Sequence, residues 1–148
     1  MNVGEVCTRE VYIVNPKEPL LQAVHEMCKR NVGCVVAVEQ RGEQVLPVGI
    51  VTDRDIVRVL PRYAGDLGTV SVADVMTRNP LVLHEEESIV EAMQRLRQRG
   101  VRRAPVVAAN GDLVGIVSTD DLLGIVAEQL GSLARLVDRQ THSRGSGS

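Results

Sequence analysis

Gly49-Ile50-Val51-Thr52-Asp53-Arg54-Asp55-Ile56 decides how this chain is read, because it returns as Gly115-Ile116-Val117-Ser118-Thr119-Asp120-Asp121-Leu122. Each copy sets a glycine and two β-branched residues before a hydroxyl residue, with an aspartate three residues later and an aliphatic residue after it. The β-branched pair suits a buried strand end, and the polar residues suit the first turn of a helix. Such a corner leaves backbone N–H groups free at the positive end of a helix dipole, where anions such as phosphate are favoured. The hydroxyl can donate to a phosphate oxygen, and the carboxylate can accept from two ribose hydroxyls. The same residues have a plainer use. Thr52 and Ser118 also suit helix N-caps worth about 1 kcal/mol each, and Asp55 and Asp121 suit first-turn carboxylates favoured by the dipole. Both uses can hold at once.

Working outward, the duplication covers nearly the whole chain. Asn2-Val3-Gly4-Glu5-Val6-Cys7-Thr8-Arg9 aligns with Ser71-Val72-Ala73-Asp74-Val75-Met76-Thr77-Arg78 at an offset of 69, which also pairs Leu20 with Ile89, Ala23 with Ala92, Met27 with Leu96 and Val32 with Val101. At the glycine motif the offset falls to 66, and the three extra residues lie in the polar hairpin 39–44. The second copy turns through Asn110-Gly111, a strong hairpin signal. Repeats of this length set the architecture.

Each unit predicts a short helical turn, with Ser71 and Asp74 as its capping box in the second copy. A brief strand follows, at Val11–Val14 and Leu81–Leu83, then an amphipathic helix with Leu20, Val24, Met27 and Cys28, or Ile89, Met93 and Leu96, on one face. Apolar strands come next at Cys34–Val38 and Ala104–Ala108, then Pro47–Val51 and Leu113–Val117, and the helix after the motif closes the unit. Glu85, Glu86 and Glu87 read as a solvated start to the second amphipathic helix, Arg95, Arg97 and Arg99 as its end and Gly100 as its stop. The expected fold is α+β, two tandem β-α-β-β-α units packed sheet to sheet about a pseudo-two-fold axis. Unit 1 spans 1–64 and unit 2 spans 65–130; a helical extension and a disordered tail fill 131–148, the tail from Arg144. Leu122, Val126, Leu130, Leu133 and Val137 carry a helical stripe past what the unit requires. It either folds back on its own unit or meets a second chain, and the reading favours the second chain.

Composition narrows the function. A chain of 148 residues with 44% hydrophobic residues can build a real core. A net charge of -2 and the absence of Trp and Phe argue against nucleic acid, since only Tyr12 and Tyr63 could stack on bases. No apolar run approaches the ~18 residues of a membrane span, and no signal peptide is evident, so no membrane association and a cytoplasmic location are expected. Cys7, Cys28 and Cys34 are odd in number and have no histidines at metal spacing, and read as buried or half-buried thiols. His25, His84 and His142 stand singly in surface or cap contexts. No nucleophile–base pair, metal cluster or paired carboxylates with an orienting group is evident, so the chain is not expected to be an enzyme.

In order, spacing and duplication the chain resembles a tandem pair of CBS domains (cystathionine β-synthase domains), the arrangement called a Bateman module, of the stand-alone type. The resemblance rests on Val72-x-x-Val75-Met76-Thr77-Arg78, Val101-Arg102-Arg103-Ala104-Pro105-Val106-Val107, Val32-Gly33-Cys34-Val35-Val36-Ala37-Val38 and the two glycine motifs. It implies a regulatory or sensor module that requires no cofactor and binds an adenosine-type nucleotide (AMP, ADP, ATP or S-adenosylmethionine) in clefts between the units. It also implies a homodimer and a regulated protein as partner. At matching positions Asp55 and Asp121 would take ribose hydroxyls, Thr52 and Ser118 would contact phosphate, and Thr8 and Thr77 would line the entrance. The base would lie against backbone at Gly33, Cys34 and Val35 in one cleft and at Arg102, Arg103 and Ala104 in the other. Basic residues at this place reach across the pseudo-two-fold in relatives. Thr8, Thr52, Asp55, Arg102 and Arg103 are therefore expected to converge on phosphate in the Asp55 cleft, leaving the Asp121 cleft weaker. The alternatives are that Arg102 and Arg103 are solvated charges, and that the chain is a structural or dimerisation module with vestigial clefts acting through a protein partner.

Overall fold

Thirteen helices and strands, with two short 3-10 turns at Leu60–Arg62 and Leu67–Thr69, make up the computed structural model, which describes residues 1–63 and 65–146, the last six as backbone only. In chain order they are α1 (Val3–Val6), β1 (Ile13–Val14), α2 (Leu20–Arg30), β2 (Cys34–Arg41), β3 (Gln44–Thr52), α3 (Asp53–Val59), α4 (Val72–Val75), β4 (Thr77–Arg78), β5 (Leu83–His84), α5 (Ile89–Arg99), β6 (Arg103–Val107), β7 (Leu113–Ser118) and α6 (Thr119–Ser146). One sheet runs β1-β2-β3-β4 and the other β5-β6-β7. In each, a short strand pairs in parallel with the next strand across a helix, and a hairpin adds an antiparallel neighbour. The α+β fold with two β-α-β-β-α units is the one the repeat predicted.

The duplication persists in fine detail. The buried stripe of α2 is Leu20, Ala23 and Met27, and that of α5 is Ile89, Ala92 and Leu96, the same positions one repeat on. Cys28 stands one residue beyond the stripe of α2, about 100° round the helix, and is exposed, so it is not the half-buried thiol expected. Asn31 ends α2 at φ 55° and Gly100 ends α5 at φ 69°, both in the left-handed region that closes a helix. Register shifts fall between Ala37 and Val38 and again between Val106 and Val107. The glutamate run is placed differently from its reading. Ser88 caps α5 by accepting from the Glu91 N–H, so Glu85–Glu87 precede the helix. The Glu85 and Glu87 carbonyls accept from Gly4 and Val3, and the Glu87 carboxylate pairs with Arg95.

The opening helical turns are exchanged between the halves. Val3 packs with Leu83, Leu96, Val117 and Leu122 of the second half, whereas Val72 packs with Val14, Leu20 and Val51 of the first. Thr8 and Ile116 trade backbone hydrogen bonds of 2.8 and 2.9 Å, and β4 joins the edge of β3 with Thr77 opposite Ile50. Each spatial core therefore borrows its first turn from the other sequence unit, which the linear repeat does not reveal. The motif glycines make the crossing possible. A Cβ at Gly49 would meet the side chain of Met76, 2.8 Å from Cγ, and one at Gly115 would lie 2.6 Å from Cys7 Sγ and 2.8 Å from the Thr8 carbonyl. Ser71 and Asp74 form the expected capping box on α4, and those hydrogen bonds hold the Asp74 carboxyl below its ordinary pKa.

α6 departs from the repeat. Its counterpart α3 ends after seven residues, whereas α6 runs for 28. Leu122, Ile125 and Val126 belong to the second core, but Leu123, Leu130, Leu133, Leu136 and Val137 are exposed, so the stripe does not fold back on its own unit. The helix takes in residues 144–146, where a disordered tail was expected. Gly147, Ser148 and the side chain of His142 lie outside the described residues. Among the described residues, no helix is long and apolar enough to cross a membrane.

Candidate functional site

At the first glycine motif the chain leaves β3 and turns into α3. The Thr52 hydroxyl accepts from the Asp55 N–H at 3.2 Å, and the Asp55 carboxylate accepts from the Thr52 N–H at 2.9 Å. At the second motif Ser118 Oγ accepts from the Asp121 N–H at 3.1 Å. The capping use of both hydroxyls is therefore real. At Asp55 it engages one carboxylate oxygen of a residue that also lines a cleft.

That cleft encloses about 430 Å³, within the range of small-molecule sites. It is lined by Thr52, Asp53, Arg54, Asp55 and Arg58 of the β3–α3 corner, by Arg99 to Arg103 at the end of α5 and the start of β6, by Thr77, Pro80 and Leu81, and by Ser118 and Asp120 at the second motif. Of the residues singled out in the sequence, Thr52, Asp55, Thr77, Arg102, Arg103 and Ser118 share it. Thr8 does not. Because of the exchanged turns, Thr77 sits beside Ile50 ahead of Thr52, while Thr8 sits beside Ile116 ahead of Ser118. The expected convergence of Thr8 on the Asp55 cleft is thus corrected, and Thr77 holds that place. Val35 and Ala104 are fully buried core residues, and Cys34 and Asp121 do not line the cleft.

Arg103 crosses to the other half as expected, but it is already engaged there. Its Nη1 donates to the Gly33 carbonyl at 2.8 Å and lies 3.5 Å from Asp53 Oδ1. A Cβ at Gly33 would fall 2.7 Å from Arg103 Nη2, so the missing side chain at Gly33 makes room for a guanidinium and not for a ligand ring. Beside it, burial pushes the Cys34 thiol pKa up, with the Arg103 charge acting to lower it and Asp53 to raise it. Sequence reading missed Arg54, Arg58 and Arg99. Arg54 and Arg58 stand in the sequence as arginines four residues apart in the helix that follows Thr52.

A family model described as CBS domain matches residues 3–62 and again 72–128. The CBS domain-containing protein YhcV of Bacillus subtilis is 35% identical over 121 residues, which cover 82% of this chain and 82% of that one. An uncharacterized protein of Methanopyrus kandleri is 32% identical over 125 residues, covering 84% of this chain but only 62% of its own length. Among solved structures, a CBS domain pair in complex with 5-methylthioadenosine and S-adenosyl-L-methionine matches with a TM-score of 0.75 at 22% identity, over 87% of this chain and 98% of that one. A CBS domain protein from Pyrobaculum aerophilum complexed with AMP matches with a TM-score of 0.73 at 24% identity, over 82% and 89%. At those identities the likeness speaks for the fold alone.

Proposed function

Because this chain belongs to the CBS domain family, as a tandem pair of its units, we propose that it is a regulatory module that takes an adenosine-type nucleotide in the cleft between them. The observation that carries the reading is the meeting of Thr52, Asp55, Thr77 and Arg102 around one cleft, drawn from both halves of the chain. The Asp55 oxygen not engaged by the cap is an acceptor for ribose hydroxyls, Pro80, Leu81 and Val101 offer apolar surface to a base, and Arg102 meets phosphate. AMP and S-adenosyl-L-methionine bound to relatives of the same fold support the ligand class. The residues are those of a binder rather than an enzyme, and regulation then runs through a protein that responds to occupancy. The test is to purify the protein without added nucleotide, denature it and identify the released small molecule by mass spectrometry. An adenosine-containing molecule is expected. None released, together with no heat of binding from AMP, ADP, ATP or S-adenosylmethionine, would leave the chain a dimerisation module with vestigial clefts.

The same proposal includes a homodimer. Leu21 and Val90, equivalent in the repeat, are both exposed, as are the equivalent pair Val57 and Leu123, and α6 prolongs this apolar surface with Leu130, Leu133 and Val137. Apolar residues gathered on helix faces mark interaction surfaces. Light scattering at tens of micromolar is expected to give twice the chain mass of 16.1 kDa, and Leu130→Asp with Leu133→Asp to shift it toward monomer. A wild-type species at the single-chain mass would count against it.

A further inference from the structure

α6 runs for 28 residues where its counterpart α3 has seven. Leu122, Ile125 and Val126 seat its beginning in the second core, and among the described residues no hydrophobic side chain after Val126 joins either core. At 1.5 Å per residue the helix continues for about 30 Å past that point. Helices in proteins draw most of their stability from packing an apolar face, and Gly131 in the interior weakens this one further.

The continuing part has such a face. Leu123, Leu130 and Val137 recur every seven residues, with Ala127 and Ala134 four residues after the first two. That is the spacing of a seam between two helices. Leu123, Leu130 and Val137 are each more than half exposed. At 100° per residue they lie on a different side of the helix from Leu122 and Ile125, so the chain's own core does not use this face.

Charge points to what covers it. Glu128 and Arg135 are both exposed, and among the described residues neither forms a salt bridge. Arg135 leans over Gly131, where a Cβ would lie 3.4 Å from its Nη1. A second α6 laid parallel would set Glu128 beside Glu128 and Arg135 beside Arg135. Laid antiparallel about a two-fold axis near Ser132, it sets Glu128 of each copy nearly level with Arg135 of the other. The same register places Leu130 against Ala134 and Val137 against Ala127, large against small. Contacts about a two-fold are reciprocal, so one sequence supplies both sides of each pair. Opposed helix dipoles favour the same direction.

From this we infer that the exposed face of α6 is covered by α6 of a second copy running antiparallel to it. The inference rests on the homodimer reading, and adds which element closes the dimer and in which direction.

Sedimentation equilibrium on the full chain tests it. Glu128→Arg alone and Arg135→Glu alone each bring like charges level, and each is expected to raise the dimer dissociation constant about tenfold. The chain carrying both changes again has opposite charges level, and is expected to return to within about threefold of the unaltered chain. Circular dichroism confirms that each variant is folded. Spin labels read the direction independently, on Ser132→Cys and on Gln140→Cys with the native cysteines replaced. Labels at 132 should stand level across the axis, and labels at 140 about 24 Å apart along it. A parallel pair would give one spacing at both positions. If the two charge changes simply add, or if the two label spacings agree, the inference is overturned. A dimer that persists through that result leaves the homodimer reading standing on its other helix faces. An unaltered chain that sediments at the single-chain mass ends both.

Discussion

Gly115→Ala is expected to lower the unfolding free energy by roughly 2–4 kcal/mol, the sum of an overpacked contact and a strained hydrogen-bond pair. The new methyl would lie 2.6 Å from Cys7 Sγ and 2.8 Å from the Thr8 carbonyl oxygen. The sulfur can swing aside, but the carbonyl cannot, because it accepts the Ile116 N–H at 2.9 Å. Relief requires the exchanged segment to lift from β7, which loosens the seat of Val3 in the second core. Gly49→Ala is the internal comparison. There the obstructing atoms belong to the flexible side chain of Met76, so a loss of about 1–2 kcal/mol is expected. Gly124→Ala serves as the control: its Cβ would meet open space on a helix, and a gain of up to about 1 kcal/mol is expected. Urea titrations at one protein concentration measure all three, with unchanged m-values licensing the comparison. Equal losses at Gly49 and Gly115 would show that the backbone contact does not govern the crossing.

Asp55→Ala is expected to weaken nucleotide binding ten- to a hundredfold, and Asp121→Ala by less than about threefold. Asp55 lines the cleft with Thr52, Thr77 and Arg102, whereas Asp121 does not line it. The alanine variant also loses the capping box, a cost of about 1 kcal/mol to the fold. Asp55→Asn separates the two roles. Its amide oxygen still accepts the Thr52 N–H, but the charge that strengthens a bond from ribose hydroxyls is gone, so stability should recover more than affinity does. Equal affinity losses at Asp55 and Asp121 would undo the assignment of the stronger site.

The sequence carried the architecture because periodicity and repetition are local properties. Leu20, Ala23 and Met27 announce a helix face from their spacing, and their twins at Ile89, Ala92 and Leu96 confirm it without any knowledge of packing. The capping box at Thr52 and Asp55 was legible for the same reason. What sequence could not disclose is which half each segment joins. Asn2–Thr8 and Ser71–Thr77 are so alike that exchanging them leaves every local pattern unchanged, and that exchange alone moved Thr8 out of the Asp55 cleft and put Thr77 in. Arg103 shows a second limit. Its crossing to the other half was foreseeable from the resemblance, but its engagement by Gly33 and Asp53 depends on a distance across the pseudo-two-fold that no linear spacing encodes.

The exchanged turns also dictate the order in which the chain can be completed during synthesis. Val3 is made more than a hundred residues before Val117 and Leu122, which close the pocket that receives it. The entropy of closing so long a loop rises only slowly with its length, but it must be met before the reward of burial arrives. Until the second half is made, the turn at Val3–Val6 has no core to join. A second copy of the chain carries the same turn and the same seat beside β7, so an exchange of that turn between two copies is compatible with the fold. Neither half can therefore unravel without releasing a turn that packs in the core of the other.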